Sequence, residues 1–285
     1  MNECHLCLGD LTLFNDGIRP GLSSECLGLG LPSLGKSVFL MRRSRRFWLL
    51  NKAEGVKCPL LLDSSSSFMI YHDRIDAGQQ LAVALKDYKN CENVRVLGLA
   101  RGGVPVAAEV ARSLNVPLGF LVVRKLGVPN HQELAMGAIA QHICWLNDDI
   151  IKSHHISPDA IAQVRNREQK ELARREKLYR RDLPPLNLKN KTAILVDDGL
   201  ATGATLRVAA LNVRQHQPQR LVAAVPVAAK PICDRSALAV DELICLKTPE
   251  RFYAVGFWYE NFAQVNDAQV QDTLQQASDR PSVTR

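Results

Sequence analysis

The string T-A-I-L-V-D-D-G-L-A-T-G-A-T, from Thr192 to Thr205, constrains the fold more than any other stretch of the chain. Ile194, Leu195 and Val196 form a short apolar run that ends in two adjacent acids. This is the pattern of a buried strand that delivers Asp197 and Asp198 to its carboxyl end. In an open α/β sheet, ligands bind outside that edge. Gly199, Ala201, Thr202, Gly203, Ala204 and Thr205 come next, and Leu206 to Val213 has helical character, so the small residues fall where a helix begins. Such a loop suits a phosphate, because bare backbone N–H groups, two hydroxyls and the positive end of the helix dipole converge there. Phosphate repels carboxylates, so the acid pair needs a different partner. Vicinal sugar hydroxyls, with a divalent cation nearby, would supply one. Taken separately, V-D-D-G also fits an ordinary strand exit and T-G-A-T an ordinary helix cap. Competing phosphate motifs fail: the chain has no G-x-x-x-x-G-K-[ST], and Gly98 to Gly103 reads G-L-A-R-G-G rather than G-x-G-x-x-G.

The whole string resembles the 5-phosphoribosyl-1-pyrophosphate (PRPP) motif of type I phosphoribosyltransferases. The resemblance implies that Asp197 and Asp198 take the ribose 2′ and 3′ hydroxyls, and that Gly199 and Ala201 to Thr205 hold the 5′-phosphate. Mg²⁺ would be bound at the two acids mostly through substrate and water. After the strand at Val94 to Leu99, the loop with Arg101, Gly102 and Gly103 takes the place of the family's pyrophosphate loop. Two glycines there permit close approach and an unusual backbone, and Arg101 adds paired donors. Arg124 and Lys125 leave the strand Pro117 to Val123 as the family's anion contact does. The L-G-V-P-N-H-Q-E-L-A-M-G that follows looks like its mobile catalytic lid. On that lid His131 and Glu133 are the side chains suited to acid-base work.

V-L-G-L-A-R-G-G-V-P-V-A-A-E-V-A, the V-V-R-K exit and the tail F-Y-A-V-G-F-W-Y look like a bacterial group of phosphoribosyltransferase-domain proteins of unassigned substrate, over about Phe68 to Leu274. The resemblance implies a Rossmann-like α/β domain, with a central, mostly parallel sheet flanked by helices and a small hood. It also implies transfer of a phosphoribosyl group to a nitrogen acceptor with release of pyrophosphate. Ala201 stands where hypoxanthine-guanine enzymes carry an aspartate, which puts that substrate class in doubt. The loop is closer to the adenine type, in which the lid supplies the acid-base group; Glu133 is its analogue by location.

The remaining sequence sets boundaries. The chain has 285 residues, a formal net charge of +7 and eight cysteines. Nowhere does an apolar stretch approach the roughly 18 residues of a membrane span. Met1 to Asp10 carry acids and cysteines instead of a basic start, so no secretory signal is expected and a cytoplasmic setting follows. The scattered cysteines suit reduced side chains better than a disulfide framework. Residues 1 to 67 lack sustained periodicity and end in Ser64 to Ser67. They are expected to be a poorly ordered, irregular extension, with the phosphoribosyltransferase domain spanning 68 to 285. Cys4 and Cys7 could form half of a zinc site, but Cys26 and Cys58 are single.

Periodicity then predicts a helix from Tyr71 to Tyr88 with Ile75, Leu81, Ala82, Leu85 and Tyr88 on its inner face, and a helix from Pro105 to Leu114. Ala138 to Leu146 reads as one strand and Ser157 to Arg181 as a long helix. Arg220 to Val227 reads as a strand, a short helix starts at Pro231, and Val240 to Leu246 is again a strand. The alternation points to right-handed βαβ units. The aromatics of Phe252 to Phe262 pack in the core, cover the sheet edge or stack on a planar ring. Arg165 to Arg181 is basic but interleaved with Glu168, Glu171 and Glu176 at helical spacing, which fits a solvated helix. Nucleic acid is therefore not the expected partner, although a PRPP-sensing regulator that binds RNA or DNA through this helix is the alternative. A homodimer is compatible with either.

Overall fold

The computed structural model describes residues 70–181, 183, 187–230 and 238–279, without the Glu133 side chain, together with the strand backbone between residues 12 and 60. Contacts divide the chain after Met69. In the N-terminal unit, β1 (Thr12–Phe14), β2 (Cys26–Gly30), β3 (Val38–Arg43), β4 (Arg46–Asn51) and β5 (Lys57–Leu60) pair in chain order as an antiparallel meander. These strands stand where an irregular extension was expected; at three to six residues each they are too short to register a period. Cys4 and Cys7, and with them the zinc question, lie outside the described residues.

From Ile70 the chain runs α1 (Arg74–Ala84), β6 (Val94–Ala100), α2 (Gly103–Leu114), β7 (Leu118–Val122), β8 (Arg124–Val128), β9 (His131–Ala140) and β10 (Ile143–Leu146). It continues with α3 (Asp148–Ser153), α4 (Pro158–Arg180), β11 (Thr192–Val196), α5 (Ala204–Arg214), β12 (Arg220–Val227), β13 (Glu242–Lys247) and α6 (Asp267–Ser278). The central sheet has the order β13-β12-β11-β6-β7, with every pair parallel. Register is tight around β11: Thr192 lies opposite Val94 and Arg220, and Val196 opposite Gly98 and Ala224. Five residues of β11 are buried because the strand is covered on both faces. Ala193 and Leu195 face the core shared with α5, while Ile194 and Val196 face the one shared with α1 and α2. Burial on both faces explains an unbroken apolar run where a half-exposed strand would alternate. Each fully buried Leu or Ile contributes about 1.5–3 kcal/mol.

Several elements differ from the sequence expectation. The N-terminal helix is shorter than predicted, and its inner face is Ala77, Gly78, Leu81 and Ala82, with Leu85 capping it; Ile75 is 49% exposed. Helix α2 begins at Gly103, so Pro105 is its third residue rather than its first, a position where its missing N–H still costs no helical bond. Residues 124–146 are not a loop plus one returning strand but a three-stranded antiparallel sheet, β10-β9-β8. Its tight turns use Asn130 and Gln141 at positive φ. Helix α4 starts on its predicted cap: the Ser157 hydroxyl accepts from the Ala160 N–H, and Pro158 occupies the first turn. Helices α3 and α6 carry no sequence signal beyond their caps, Asn147 and the Asn266–Gln269 capping box. The helix expected from Pro231 lies outside the described residues. Among them no helix is long and apolar enough to cross a membrane.

Residues 70–285 hold three of their own apolar clusters around the central sheet. A chain beginning at Ile70 is therefore expected to unfold cooperatively, within a few degrees of the full chain. Differential scanning calorimetry of both measures this, and an insoluble or non-cooperative fragment would show that the N-terminal unit is needed for folding.

Candidate active site

Strand β11 ends at Val196, and the next two residues place their carboxylates at the carboxyl edge of the sheet. Asp197 Oδ1 accepts from the Asp198 N–H at 2.9 Å, which turns the chain sharply. Beside them β6 ends, and the Ala100–Arg101 peptide bond is cis, the unusual backbone expected of this loop. The loop lies directly against the acids. A Cβ on Gly102 would fall 2.1 Å from Asp198 Oδ2, and one on Gly103 would fall 2.6 Å from the Val196 carbonyl oxygen and 2.9 Å from the Asp197 Cα. Only glycine fits at either position. Gly199 is held the same way from the other side, where an added Cβ would meet the Val255 side chain at 2.5 Å.

Two helices begin at this edge. Gly102 precedes α2 and Gly203, at φ 75°, precedes α5; neither helix has a side-chain cap. The first N–H groups of a helix have no partner within it, so both starts offer donors and positive dipole ends at the acid pair. Thr202 is exposed in the α5 loop, and Ala201 and Thr205 are half-buried. Leu200 is tied down, donating to the Val227 carbonyl at 2.9 Å and accepting from the Ala229 N–H at 3.0 Å.

The electrostatics are dominated by the acids. Burial first, and the neighbouring Asp198 charge second, push the Asp197 carboxyl well above the ordinary carboxylate value; the Asp198 N–H, Lys125 and Arg74 oppose this. Burial also raises Asp198, against the guanidinium of Arg74 and the ammonium of Lys125. Arg74 went unnoticed in the sequence. Its Nε donates to Asp198 Oδ2 at 2.9 Å, and Nη2 lies 2.8 Å from the same oxygen. Tyr259 was expected only as one of the C-terminal aromatics; its hydroxyl donates to the Asp198 carbonyl at 2.6 Å, and burial pushes that hydroxyl upward. Neither has a motif, since each reaches the acids from a remote element.

Other expected residues are distributed unevenly. Exposed Lys125 faces the acid pair through its charge. Arg124, the expected anion contact, is engaged elsewhere: its Nε and Nη2 donate to Glu168 Oε2 on α4 at 2.9 and 2.6 Å. Arg101 Nη1 lies 3.7 Å from Asp267 at the start of α6, where Arg174 and the Tyr179 hydroxyl also converge. Exposed His131 and the backbone of Glu133 lie at the start of β9, on the hairpin rather than on an unstructured lid. The Glu133 side chain lies outside the described residues. In the basic stretch 165–181, Arg167, Arg174, Arg175 and Arg180 pair with Glu168, Glu171 and Glu176. The C-terminal aromatics divide: Tyr259 packs on Tyr71, whereas Tyr253 and Phe257 are 77% and 72% exposed with ring centroids 5.9 Å apart. Depressions along α4 and at the β8–β9 turn lie away from the acids and involve none of these groups beyond His131, Glu171 and the α4 arginines.

Comparison with known proteins places this geometry in context. The model of the phosphoribosyl transferase domain family matches residues 67–244. Two Mycobacterium tuberculosis proteins, from strains CDC 1551 / Oshkosh and H37Rv, each provisionally named a phosphoribosyl transferase, are 46% identical over 209 residues, 73% of this chain. The chain spans about half the length of these relatives, 47%. The crystal structure of TT1426 from Thermus thermophilus is 37% identical and superposes with a TM-score of 0.60, covering 73% of this chain and 99% of that one.

Because the folded state raises the Asp197 carboxyl, it binds that proton more tightly than the unfolded chain does. The resulting stabilisation is complete below the ordinary value of 3.8 and is lost as pH rises through the raised value. Asp197→Asn cannot ionise and keeps the oxygen that accepts from Asp198. Without ligand or divalent ion it should melt above the wild type at pH 7, by about 2–4 °C per kcal/mol of relief. The gap should close as the pH is lowered below 3.8. Equal melting temperatures at both pH values would show that the acid pair is not strained.

Proposed function

Because this chain belongs to the phosphoribosyl transferase domain family, we propose that it binds PRPP with Mg²⁺ and transfers the 5-phosphoribosyl group to a nitrogen acceptor with release of pyrophosphate. One observation carries this reading: an acid pair and two helix starts without side-chain caps meet at the carboxyl edge of adjacent parallel strands. Acids and anion sites side by side suit a molecule that is polyhydroxylated in its middle and phosphorylated at both ends. In this reading Asp197 and Asp198 accept from the ribose hydroxyls. The α5 loop, Gly199 and Ala201 to Thr205, holds the 5′-phosphate. Arg101, Gly102 and Gly103 at the α2 start, with Lys125 nearby, hold the pyrophosphate.

The donor set also fits Mg²⁺. Two carboxylates are hard oxygen ligands, and Mg²⁺ commonly keeps several waters and substrate phosphate oxygens beside one or two such ligands. When bound, the ion would neutralise charge on the departing pyrophosphate. The protein's own part is positioning and electrostatics, with no covalent nucleophile. The cationic groups Arg101 and Lys125 and the α2 dipole face charge that grows on the leaving group, and the carboxylates face the electron-poor ribose. Glu133, on the β8–β9 hairpin, would accept or return the acceptor's proton. The exposed Tyr253–Phe257 pair, next to Val255 that packs on Gly199, offers ring faces on which a nucleobase-like acceptor could stack, although the two rings are tilted 49° to each other. Free thiols at Cys91 and Cys144 suit a reducing, cytoplasmic setting.

Incubating the protein with Mg²⁺, PRPP and a panel of nucleobases and amines, while following pyrophosphate release, tests the reading. Turnover with at least one nitrogen acceptor is expected; tight PRPP binding without turnover would favour a PRPP-sensing regulator, and no PRPP binding would overturn both. Asp197→Asn and Asp198→Asn should each weaken PRPP binding by about 1.5–3 kcal/mol, the value of a hydrogen bond to a charged group. Calorimetric titration measures this, and unchanged affinity in both variants would remove the acids from the site.

Glu133→Gln should lower kcat by about 10²–10⁴-fold at saturating PRPP, with little change in PRPP affinity, as loss of general acid-base catalysis would. A wild-type kcat across pH would leave His131, or an acceptor that needs no base, as the better account.

A further inference from the structure

Arg74 opens α1, a helix whose start is fixed by Asp73: that carboxylate accepts from the Ile75 and Asp76 N–H groups at 2.9 Å. From there the guanidinium crosses to the acid pair, 124 positions away in sequence. Its Nε and Nη2 grip a single oxygen, Asp198 Oδ2, while Nη1 donates to the Ala263 carbonyl at 2.8 Å. The guanidinium carbon sits 3.9 Å over the Phe262 ring, and the side chains of Arg74 and Asp198 are 11% and 15% exposed. Every arm of the fork is therefore engaged, and the C-terminal segment locks it in place. Tyr259, from the same segment, fixes the Asp198 backbone. Among the described residues no hydrogen bond reaches Asp198 Oδ1.

Such an arrangement is not explained by stability. A buried ion pair is often matched or exceeded by apolar side chains of similar volume. What a fixed fork on one oxygen does provide is orientation: the carboxylate cannot rotate, so its second oxygen keeps one direction. We infer that Arg74 is a positioning residue that, by holding Oδ2, presents Oδ1 of Asp198 to the vicinal hydroxyls of a ribose phosphate. This rests on the ribose reading given under Proposed function. Gly102 completes the device by leaving room for Oδ2 against the pyrophosphate loop.

The test compares two ligands on the full chain by calorimetry: ribose 5-phosphate, and 2,3-dideoxyribose 5-phosphate, which keeps the phosphate but lacks both hydroxyls. The readout is the ratio of their Kd values. The wild type should prefer the hydroxylated ligand by about tenfold or more, and Arg74→Gln should lose about a factor of ten of that preference, about 1.4 kcal/mol, while its affinity for the dideoxy ligand stays the same. A merely structural role would weaken both ligands together and leave the ratio unchanged. Arg74→Lys keeps the charge without the planar fork, so its ratio should be intermediate, and it carries the test if Arg74→Gln does not fold. A wild-type ratio in either folded variant overturns the inference about Arg74 alone. A wild type with no preference overturns the ribose reading itself, and this inference with it.

Discussion

Two adjacent carboxylates at the end of a fully buried strand are the constraint on which the rest of this domain depends. Burial raises the cost of ionising either acid, and for Asp197 the neighbouring charge adds to it. The surroundings respond in kind. A guanidinium arrives from α1, an ammonium from β8, a tyrosine hydroxyl from the C-terminal segment, and two helices point their positive ends at the same edge. Each compensates only in part, since both acids remain raised. A site that retains such a penalty in a strand it could have filled with apolar residues is better explained by what the acids bind than by what they contribute to the fold.

Close packing follows from the same crowding. Gly102, Gly103 and Gly199 surround the acids because no Cβ fits between them and the neighbouring backbone or side chains. The β6 loop, the β11 exit and the C-terminal segment thus touch around a common point. The aromatic tail belongs to this arrangement: Tyr259 forms a bridge with Tyr71, and Phe262 supports Arg74. A stretch that reads as a mere cluster of aromatics is, in part, the back wall of the site.

The long helix shows how charge that suggests one role serves another. Arg165 to Arg181 is basic in composition, yet four of its arginines pair with acids of the same helix, two of them also with Asp267. Glu168, nearly buried, also pairs with Arg124 of β8. Surface pairs of this kind contribute little individually. Their consequence here is that much of the helix's positive charge is already answered within the molecule.

The sequence by itself determined the parts that depend on neighbours along the chain. The apolar run Ala193 to Val196, the acids after it, the small-residue loop and the start of α5 are local, and their spacing maps onto a buried parallel strand, a turn and a helix end. The Ser157 cap of α4 and the strand at Arg220 were legible for the same reason. The three-stranded sheet of residues 124–146 was not, because its alternation is broken by register shifts near Gly127 and its turns rest on Asn130 and Gln141, which are weak signals. Ile75 fell on the wrong face because the buried stripe of α1 is made of small residues, Ala77, Gly78 and Ala82, that hydrophobicity underweights. Only the tertiary structure decided which charges meet: Arg74 lies 124 positions from Asp198, Tyr259 lies 61, and Arg124 lies 44 from its partner Glu168. An ion pair between remote elements leaves no period in the chain, because it is fixed by how helices and strands pack against one another and not by the residues beside it.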